Sequence, residues 1–351
     1  MDALSHRALD EIARLAHAGL RLPALFEEAA RVLRKVVPYE AACWHTLDPG
    51  TLLETSHQVE NLPFENPLAS ELEYLHEDFN QFAALARARR RSGILSVATG
   101  GRPERSLRYR ELIRPFGLQA EMRAAFVTEG AGWGAVGLLR PPGAPDFTRD
   151  EADLLHEVSG YLAHAVRSSV LHRAAEAHDG ASDGPGLVLL DHRFRLESVT
   201  PAAERVLAEL EEGGPPATRS GELPYVVYAI AARARSAAMA PDRDALAYAR
   251  VRTRAGRWLA MHGALADGHS ERIAVIVQSA QPGAVAPLIV EAYGLTARER
   301  ELVDHLLRGA STKEIAAALR ISSYTVQEHF KRIFDKLGVR SRIELVGKVF
   351  G

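Results

Sequence analysis

Residues 311–337 read STKEIAAALRISSYTVQEHFKRIFDKL, and this stretch predicts two short helices separated by a tight break. The first run is rich in alanine and opens with Ser311 and Glu314, which have the spacing of a capping box at a helix start. In the second run an apolar residue recurs every three or four positions, which marks one helix face: Val326, Phe330, Ile333 and Leu337. Two helices joined in this way form a helix-turn-helix, whose second helix can lay its polar face in the major groove of DNA.

The flanking sequence extends the pattern to four short helices. Further boxes of the form S/T-x-x-E begin at Thr296 and Ser341, and Gly309 and Gly338 stand where helices are expected to end. Apolar residues of the neighbouring helices can complete a small core, for which we expect Leu302, Leu306, Ile315 and Leu319. An all-α domain is therefore predicted at residues 289–351.

The sequence LTARERELVDHLLRGASTKEIAAALRISSYTVQEHFKRIFDKLGVRSRIELV resembles the LuxR/NarL-type helix-turn-helix domain. Its elements LTxRE, KEIA, TV, KLGV and SR occur in the order and at the spacing of that family. The resemblance covers only about the last sixth of the chain. It implies a transcriptional regulator that binds double-stranded DNA and is not an enzyme.

The resemblance also implies roles for single residues. The base-reading positions of the family fall on Gln327, Glu328 and Lys331. Positions that contact phosphate fall on Lys313, Thr325, Arg332 and Lys336, and the dimer contact falls on the last helix, at Leu345 and Val349. The family often has lysine at the position of Gln327, so fewer positive charges here should lower non-specific affinity. A polar helix face is usually just solvated, so the pattern alone leaves both interpretations open.

Charge and composition limit what the rest of the chain can be. Residues 291–351 hold 11 Lys and Arg against 8 Asp and Glu, whereas the remaining chain holds 32 against 37. A modestly basic tail on an acidic body favours a polyanionic partner for the tail. Cys43 is the only cysteine, which excludes an intrachain disulfide and a cysteine-rich zinc site. No apolar run is long enough for a membrane span and no signal peptide is apparent, so a cytoplasmic protein is expected.

The first segment, residues 1–178, alternates helices and strands. Two predicted hairpins turn at Asp48-Pro49-Gly50 and at Glu129-Gly130, and a capping box at Thr148 starts a long helix. The arrangement, closing on DFTRDEADLLHEVSGYLAHAV, resembles a GAF domain, which is a sensory α/β fold. Heptad-like spacing in the long helix leaves two readings open, packing on its own sheet or pairing in a homodimer; for the latter the candidates are Leu155, Val158 and Leu162.

The second segment, residues 185–282, opens with a strand, an Asp-His turn, a short strand and a helix near Pro201. It closes with three strands joined by glycine-containing turns, which predicts an antiparallel meander. This pattern resembles a PAS domain. The predicted fold is therefore multidomain α+β, with GAF-like and PAS-like sensory domains before the helical tail. No cofactor signature is visible in the segment.

The first segment has candidates for a small-molecule effector site. Aromatic residues with polar tips often line pockets, which singles out Trp44, His45, Tyr74, Phe79, Phe82 and Trp133. The alternative is a constitutive DNA-binding protein whose GAF-like and PAS-like domains serve only dimerisation or protein interaction. No catalytic or metal-binding motif is present, and a single cysteine excludes a redox cycle that needs an intramolecular disulfide.

Overall fold

The computed structural model describes residues 3–62, 66–174, 184–210, 223–239, 246–254, 256–266, 272–281, 284–285, 288 and 293–350, with the side chains of 170–174 and 347–350 excepted. The chain forms two compact units, Met1–Ser279 and Ala280–Gly351. The predicted linker between 178 and 185 lies mostly outside the described residues. The three-domain division with boundaries at 178, 185, 282 and 289 stays a prediction.

The first unit contains a five-stranded antiparallel sheet built by the two predicted hairpins. Strands β1 (Ala41–Leu47) and β2 (Glu54–Glu60) form one hairpin, and β4 (Ala120–Thr128) and β5 (Ala131–Arg140) form the other. Strand β3 (Ser92–Ile94) completes the order β2-β1-β5-β4-β3. Both hairpin predictions are confirmed.

Helices cover this sheet. Helices α1 and α2 precede it, α3 to α5 lie between β2 and β4, and α6 follows β5, with bounds Ala3–Leu15, Leu22–Leu33, Asn66–Tyr74, Phe82–Arg87, Leu95–Ala98 and Arg149–Ala174. A 3-10 turn (Pro103–Arg105) and a π-helical turn (Tyr109–Ile113) precede β4. The predicted capping box starts α6, because Thr148 N–H donates to Glu151 Oε2 at 2.7 Å and Glu151 N–H donates back to Thr148 Oγ1 at 3.2 Å.

The prediction that α6 presents a dimerisation stripe is corrected. Leu155, Val158 and Leu162 are all 0% exposed within the chain's own unit, where α6 packs on β4, β5 and α1. Side chains that already fill this core cannot also contact a second copy. The spacing that resembled a heptad repeat is the apolar face of a helix lying on its sheet.

The second sheet of this unit has the same order of strands as the first. Its strands are β6 (Gly186–Leu190), β7 (Leu196–Val199), β8 (Tyr248–Arg252), β9 (Trp258–Leu265) and β10 (Ile273–Ser279), in the order β7-β6-β10-β9-β8. In both sheets the first strand therefore lies between the second and the fifth, and the fifth strand is central. The predicted meander of β8, β9 and β10 is confirmed.

Two helices connect β7 with β8 in this second sheet. Helix α7 (Pro201–Leu207) is capped by Thr200, whose side chain accepts from the Ala203 N–H. It lies so close to β6 that a Cβ on Gly186 would come within 2.6 Å of the Ala203 backbone. Helix α8 (Tyr225–Met239) is buried all round from Tyr225 to Ala232, because it packs on β9 and β10 of this sheet and also on α3 and β2.

The described part of the tail unit consists of four helices, α9 (Ala297–Leu307), α10 (Thr312–Leu319), α11 (Ser323–Leu337) and α12 (Arg342–Phe350). The first two start at the predicted caps, where full capping boxes form at Thr296 and Ser311, and the third is capped by Ser322. A common core holds the helices together and includes Leu302, Leu306, Ile315, Val326, Phe330, Ile333, Leu337 and Leu345. The predicted all-α tail is confirmed, although Leu319 is only partly buried at the edge of this core.

Candidate nucleic-acid interface and candidate ligand cavity

Helix α11 has two chemically distinct faces. Ser322 caps its start by accepting from Thr325 N–H at 3.0 Å, and Gly338, with a φ of 62°, ends it in the left-handed conformation that glycine allows. One face is buried in the tail core at Val326, Phe330, Ile333 and Leu337, as predicted. The orientation of α11 about its own axis is thereby fixed.

The opposite face of α11 is polar and exposed. Gln327, Glu328, Lys331 and Arg332 are exposed, and none of them forms a hydrogen bond or ion pair with any side chain that the structure describes. An amide, a carboxylate and two cations are thus available at successive turns of one helix. Such a helix fits the width of the DNA major groove, where glutamine can pair with adenine and a carboxylate can accept from cytosine.

The turn between α10 and α11 is short because Arg320 adopts a left-handed conformation, with φ 53° and ψ 46°. Arg298 of α9 donates to Leu319 O at 2.7 Å and so satisfies a carbonyl at the end of α10. The Arg342 guanidinium lies 4.4 Å from the centre of the Phe330 ring and donates to Thr312 Oγ1 at 3.0 Å. These contacts connect α12 and α9 to the two helices of the motif.

Lys336 has a structural role that its assignment to phosphate contact did not anticipate. Its ammonium lies 2.7 Å from Glu299 Oε2 and donates to Gly294 O at 3.0 Å, so it connects α11 to the start of α9. Burial pushes the pKa of Glu299 upward, but the hydrogen bonds from Lys336 and Thr296 outweigh it and lower that pKa from 4.5. The assignment of Lys336 to phosphate contact stays a prediction.

Lys336→Met should destabilise the tail unit by about 1 kcal/mol, because Glu299 would lose its cation at a site where only 5% of its side chain is exposed. The folded-state pKa of Glu299 is lowered, so its contribution is present above pH 4.5 and is lost as pH falls through the folded value. Hydrogen exchange of the α9 and α11 amides at pH 7 and below pH 4.5 measures this difference. Lys336→Arg is the control and should retain most of the stability. Equal exchange in Lys336→Met and the parent at neutral pH would contradict the assigned role.

The other tail candidates lie in different surroundings. Lys313 is exposed in the first turn of α10, and Thr325 is half-buried, with its hydroxyl 2.8 Å from Ser322 Oγ. Leu345 is 0% exposed in the tail core, so its predicted use as a dimer contact is corrected. The side chain of Val349 lies outside the described residues.

A cavity of about 50 Å³ lies against one face of the first sheet, where residues of α3, α4, the π-helical turn and Tyr225 of α8 complete its lining. Of the six predicted ligand-binding residues, His45 and Phe82 line it. Tyr74 does not line it but contacts its wall, because the Tyr74 hydroxyl accepts from Glu54 N–H at 3.0 Å. Phe79 is half-buried in a separate apolar cluster. The Arg105 guanidinium lies over the Phe79 ring, 5.2 Å from its centre.

The two predicted tryptophans do not line this cavity, which corrects their assignment to it. Successive residues of a strand point to opposite faces, so Cys43 and His45 face the cavity whereas Trp44 faces away. Trp44 packs on Phe26 with ring centres 5.5 Å apart, and it donates to Glu60 Oε1 at 2.8 Å. Trp133 is 1% exposed and is part of the packed interior.

The sequence analysis missed a cluster of buried charges around this cavity. Arg108 donates to both carboxylate oxygens of Glu121, at 3.0 and 2.7 Å, and Arg123 donates to Glu73 at 2.8 Å and to Glu121 at 3.1 Å. Burial pushes the pKa of Glu121 upward, but the two guanidiniums outweigh it and lower that pKa. The available signal was Glu121 and Arg123 two positions apart in the otherwise apolar strand β4, which predicts two charges on one inward face.

Burial opposes the charged forms of three titratable groups in the cavity wall. Burial, and to a smaller extent Arg123, lowers the pKa of His45 to about 3, and burial with His45 nearby lowers that of His57 to about 3. Burial also raises the pKa of Glu54, against the hydrogen bond from Tyr225. The described residues hold no group of three or more side chains arranged to bind a metal ion. Within the same residues, no helix is both long and apolar enough to cross a membrane.

The geometry of the tail unit, with a capped recognition helix and an exposed polar face, is that of a helix-turn-helix DNA-binding domain. Residues 294–349 match the family described as bacterial regulatory proteins, luxR family. The spore germination protein GerE of Bacillus subtilis is 46% identical over 52 residues, which are 15% of this chain and 70% of GerE. The chain belongs to the luxR family, and its resemblance to that family is confirmed.

Two further relatives are transcriptional regulatory proteins by name. DesR of Bacillus subtilis is 37% identical over 89 residues, which are 23% of this chain and 45% of DesR. UhpA of Escherichia coli is 43% identical over 56 residues, which are 16% of this chain and 29% of UhpA. The chain thus matches less than half of the length of these two regulators.

Solved structures of GAF domains are similar to the chain at low scores. The phycoerythrobilin-bound GAF domain of a cyanobacterial phytochrome is 17% identical, with a TM-score of 0.36, and the match covers 49% of this chain and 99% of that chain. A score this low has no weight for the function of the first unit. The α+β architecture of that unit follows from its own sheets and helices.

Proposed function

We propose that this protein is a sequence-specific, DNA-binding transcriptional regulator that acts as a homodimer and responds to a signal in its first unit. The observation that carries the proposal is the exposed face of α11, where Gln327, Glu328 and Lys331 have no partner among the described side chains. The luxR family match over residues 294–349 supports the same reading. We assign no catalytic residue, and a cytoplasmic location stays a prediction.

The proposal assigns separate roles to the polar residues of α10 and α11. Gln327, Glu328 and Lys331 read base edges, while Lys313, Thr325 and Arg332 contact phosphates. Two tail units on neighbouring half-sites would read a two-fold symmetric operator. A signal in the first unit would change the spacing of the two tail units through the connector at residues 280–293. The first unit would consist of a GAF-like domain at 1–178 and a PAS-like domain at 185–282, which is consistent with the shared strand order of its two sheets.

Selection of bound sequences from random DNA by the full-length protein tests the core of the proposal. We expect enrichment of one sequence with two-fold symmetry. If the pool stays random, the sequence-specific function is refuted. The second candidate function, a constitutive DNA-binding protein with a purely architectural first unit, would give the same enriched sequence but an affinity that no small molecule alters.

Lys331→Ala should weaken operator binding and reduce the slope of log affinity against log salt by about one unit per lost phosphate-neutralising charge. Binding titrations over a range of salt concentrations measure this slope. Lys35→Ala removes an equally exposed lysine from the first unit and is the matched control, for which we expect an unchanged slope. An unchanged slope in Lys331→Ala would exclude that residue from the interface.

Gln327→Ala should cost about 1–3 kcal/mol of operator affinity at one base pair, because one bidentate contact to a base edge would be lost. A panel of operators with single base changes locates the effect: the variant should lose its preference at one position and keep it at the others. Uniform weakening across the panel would remove Gln327 from the base-reading set. The exposure of Gln327 predicts no effect on stability.

A further inference from the structure

One residue that lines the cavity of the first unit comes from α8, the helix that packs on the second sheet. Most of its lining comes from β1, β2, β4 and the neighbouring helices, but Tyr225, the first residue of α8, completes it. The Tyr225 hydroxyl donates to the Glu54 carboxylate. Its ring centre lies 4.8 Å from that of His57 and 5.8 Å from that of His45. Tyr225 therefore contacts three polar residues of the β1–β2 hairpin at once.

The cavity contains buried polar atoms that form no hydrogen bond within the described residues. His57 Nδ1 is one of them, and the others are His45 Nδ1, which lies 3.6 Å from Glu54 Oε1, and Arg108 Nη1, which lies 3.8 Å from Asp78 Oδ2. All three side chains line the cavity. Buried polar atoms are nearly always hydrogen-bonded, so these three point to a polar occupant. A volume of about 50 Å³ has room for roughly three to five water-sized groups.

The charges in the wall limit the chemistry of this occupant. The guanidiniums of Arg108 and Arg123 are already paired with Glu121 and Glu73. The carboxyl group of Glu54 also lines the cavity and already accepts from the Tyr225 hydroxyl, and the apolar part of the wall consists of Val59, Leu112, Ile113 and Leu139. A charged ligand would therefore be buried without a free counter-ion, which is strongly unfavourable, whereas a neutral ligand would lose only hydrogen bonds that the wall can replace.

We propose that this cavity binds a small uncharged molecule with hydrogen-bond donors and acceptors, of the amide or azole class, and that Tyr225 transmits its binding to α8. The ligand contacts Nδ1 of His57 and Nδ1 of His45 and lies against the apolar wall, directly beneath the Tyr225 ring. Accommodating it displaces the Tyr225 hydroxyl from Glu54. Because Tyr225 is the first residue of α8, this displacement changes the start of the helix that covers the second sheet.

A second buried contact holds the β1–β2 hairpin to the second sheet, so that α8 is the element that moves when a ligand binds. Asp48, in the turn after β1, accepts from Arg250 of β8 at 2.7 and 2.8 Å, with both side chains buried. The β1–β2 hairpin is thus held to the second sheet at its turn, while Tyr225 contacts its middle. The Asp48–Arg250 contact stays in place while the Glu54–Tyr225 contact can be displaced. Ligand binding can therefore move α8 relative to the hairpin. An effect on DNA affinity rests on the proposed function, but binding in the cavity does not.

The test uses the full-length protein with acetamide and pyrazole as neutral probes and acetate and guanidinium as charged probes of similar size. We expect a saturable rise in Tm and ligand-observed NMR signals with the neutral probes only. Ala69→Leu, which places a larger side chain on the cavity wall, should abolish both effects. Ala98→Leu makes the same change at an exposed site on α5 and should leave them intact.

Hydrogen exchange measures whether ligand binding in the cavity changes the start of α8. Neutral probes should change exchange at the start of α8 in the parent by about fivefold or more, and Tyr225→Phe should still bind the probes without this change. Absence of binding by every neutral probe, or equal binding of acetate, overturns the proposed site or its ligand class. Binding without any change in α8 overturns the role of Tyr225. If the protein binds these probes but no DNA, the cavity assignment stands and the proposed function fails.

Discussion

Asp48→Ala should lower the free energy of unfolding of the first unit by about 3–5 kcal/mol, because it leaves the guanidinium of Arg250 buried without its carboxylate. The Asp48 side chain is 0% exposed and that of Arg250 is 6% exposed. The three tryptophans of the chain, Trp44, Trp133 and Trp258, all lie in this unit. Tryptophan fluorescence during urea denaturation therefore measures its unfolding separately from that of the tail.

Several hydrogen bonds converge on the same carboxylate. Asp48 Oδ2 accepts from Arg250 Nε at 2.8 Å and from the Arg250 backbone N–H at 3.0 Å, and Oδ1 accepts from Arg250 Nη2 at 2.7 Å. Gly50 N–H and Thr51 N–H also donate to Oδ1, at 2.9 and 3.2 Å, which shapes the turn before β2. Alanine removes all of these acceptors, so the pairing and the turn are lost together.

Two further variants separate the effect of the buried charge on stability from the effect of the turn. Asp48→Asn keeps one acceptor oxygen without the charge and should be less destabilised than Asp48→Ala. In Asp48→Ala/Arg250→Met the unpaired cation is gone, so the double variant should be more stable than Asp48→Ala alone. A double variant as unstable as the sum of its single changes would show that the two side chains do not interact.

Features encoded by local spacing could be predicted from the sequence. Capping boxes at Thr148, Thr296 and Ser311 each involve residues three positions apart, and each is present. The two faces of α11 follow from a helical period within fifteen residues. These predictions succeeded because the interacting groups are close in the chain, so spacing alone determines whether they meet.

Contacts between distant residues left no such signal. Asp48 and Arg250 are 202 positions apart, and Glu54 and Tyr225 are 171 apart. Lys336 pairs with Glu299 on another helix, 37 positions away, although its place on α11 is equally compatible with a phosphate contact. Which partner such a residue meets depends on tertiary packing, and no periodicity in a single sequence encodes it.

The same dependence on tertiary packing explains the two corrections made above, to the apolar residues of α6 and to the tryptophans. Apolar spacing in α6 predicts a face to be buried but not its partner, and the chain's own sheet buries Leu155, Val158 and Leu162. Strand alternation predicts that Trp44 and His45 face opposite sides of β1, yet it does not indicate which side holds a cavity. One residue of the cavity wall, Tyr225, comes from α8, which lies far along the chain.

Phe330→Ala should destabilise the tail unit by about 3–5 kcal/mol, because it removes a large side chain from a well-packed core. Phe330 is 3% exposed and packs on Phe334 with ring centres 5.9 Å apart. The Arg342 guanidinium lies over the Phe330 ring, 4.4 Å from its centre. A core as small as this one rarely supplies more than about 3–5 kcal/mol. The variant should therefore lose protection from hydrogen exchange throughout α9 to α11 and bind no DNA of any sequence.

Phe330→Leu is the matched control, because it keeps an apolar side chain of similar volume and should cost less than about 1.5 kcal/mol. It should fold and retain the operator preference of the parent, since the polar face of α11 is unchanged. The pair of variants distinguishes the buried face of α11 from its reading face. If Phe330→Ala kept full exchange protection yet lost DNA binding, Phe330 would be a DNA contact, and the orientation of α11 assigned here, with Gln327 and Lys331 facing the groove, would be wrong.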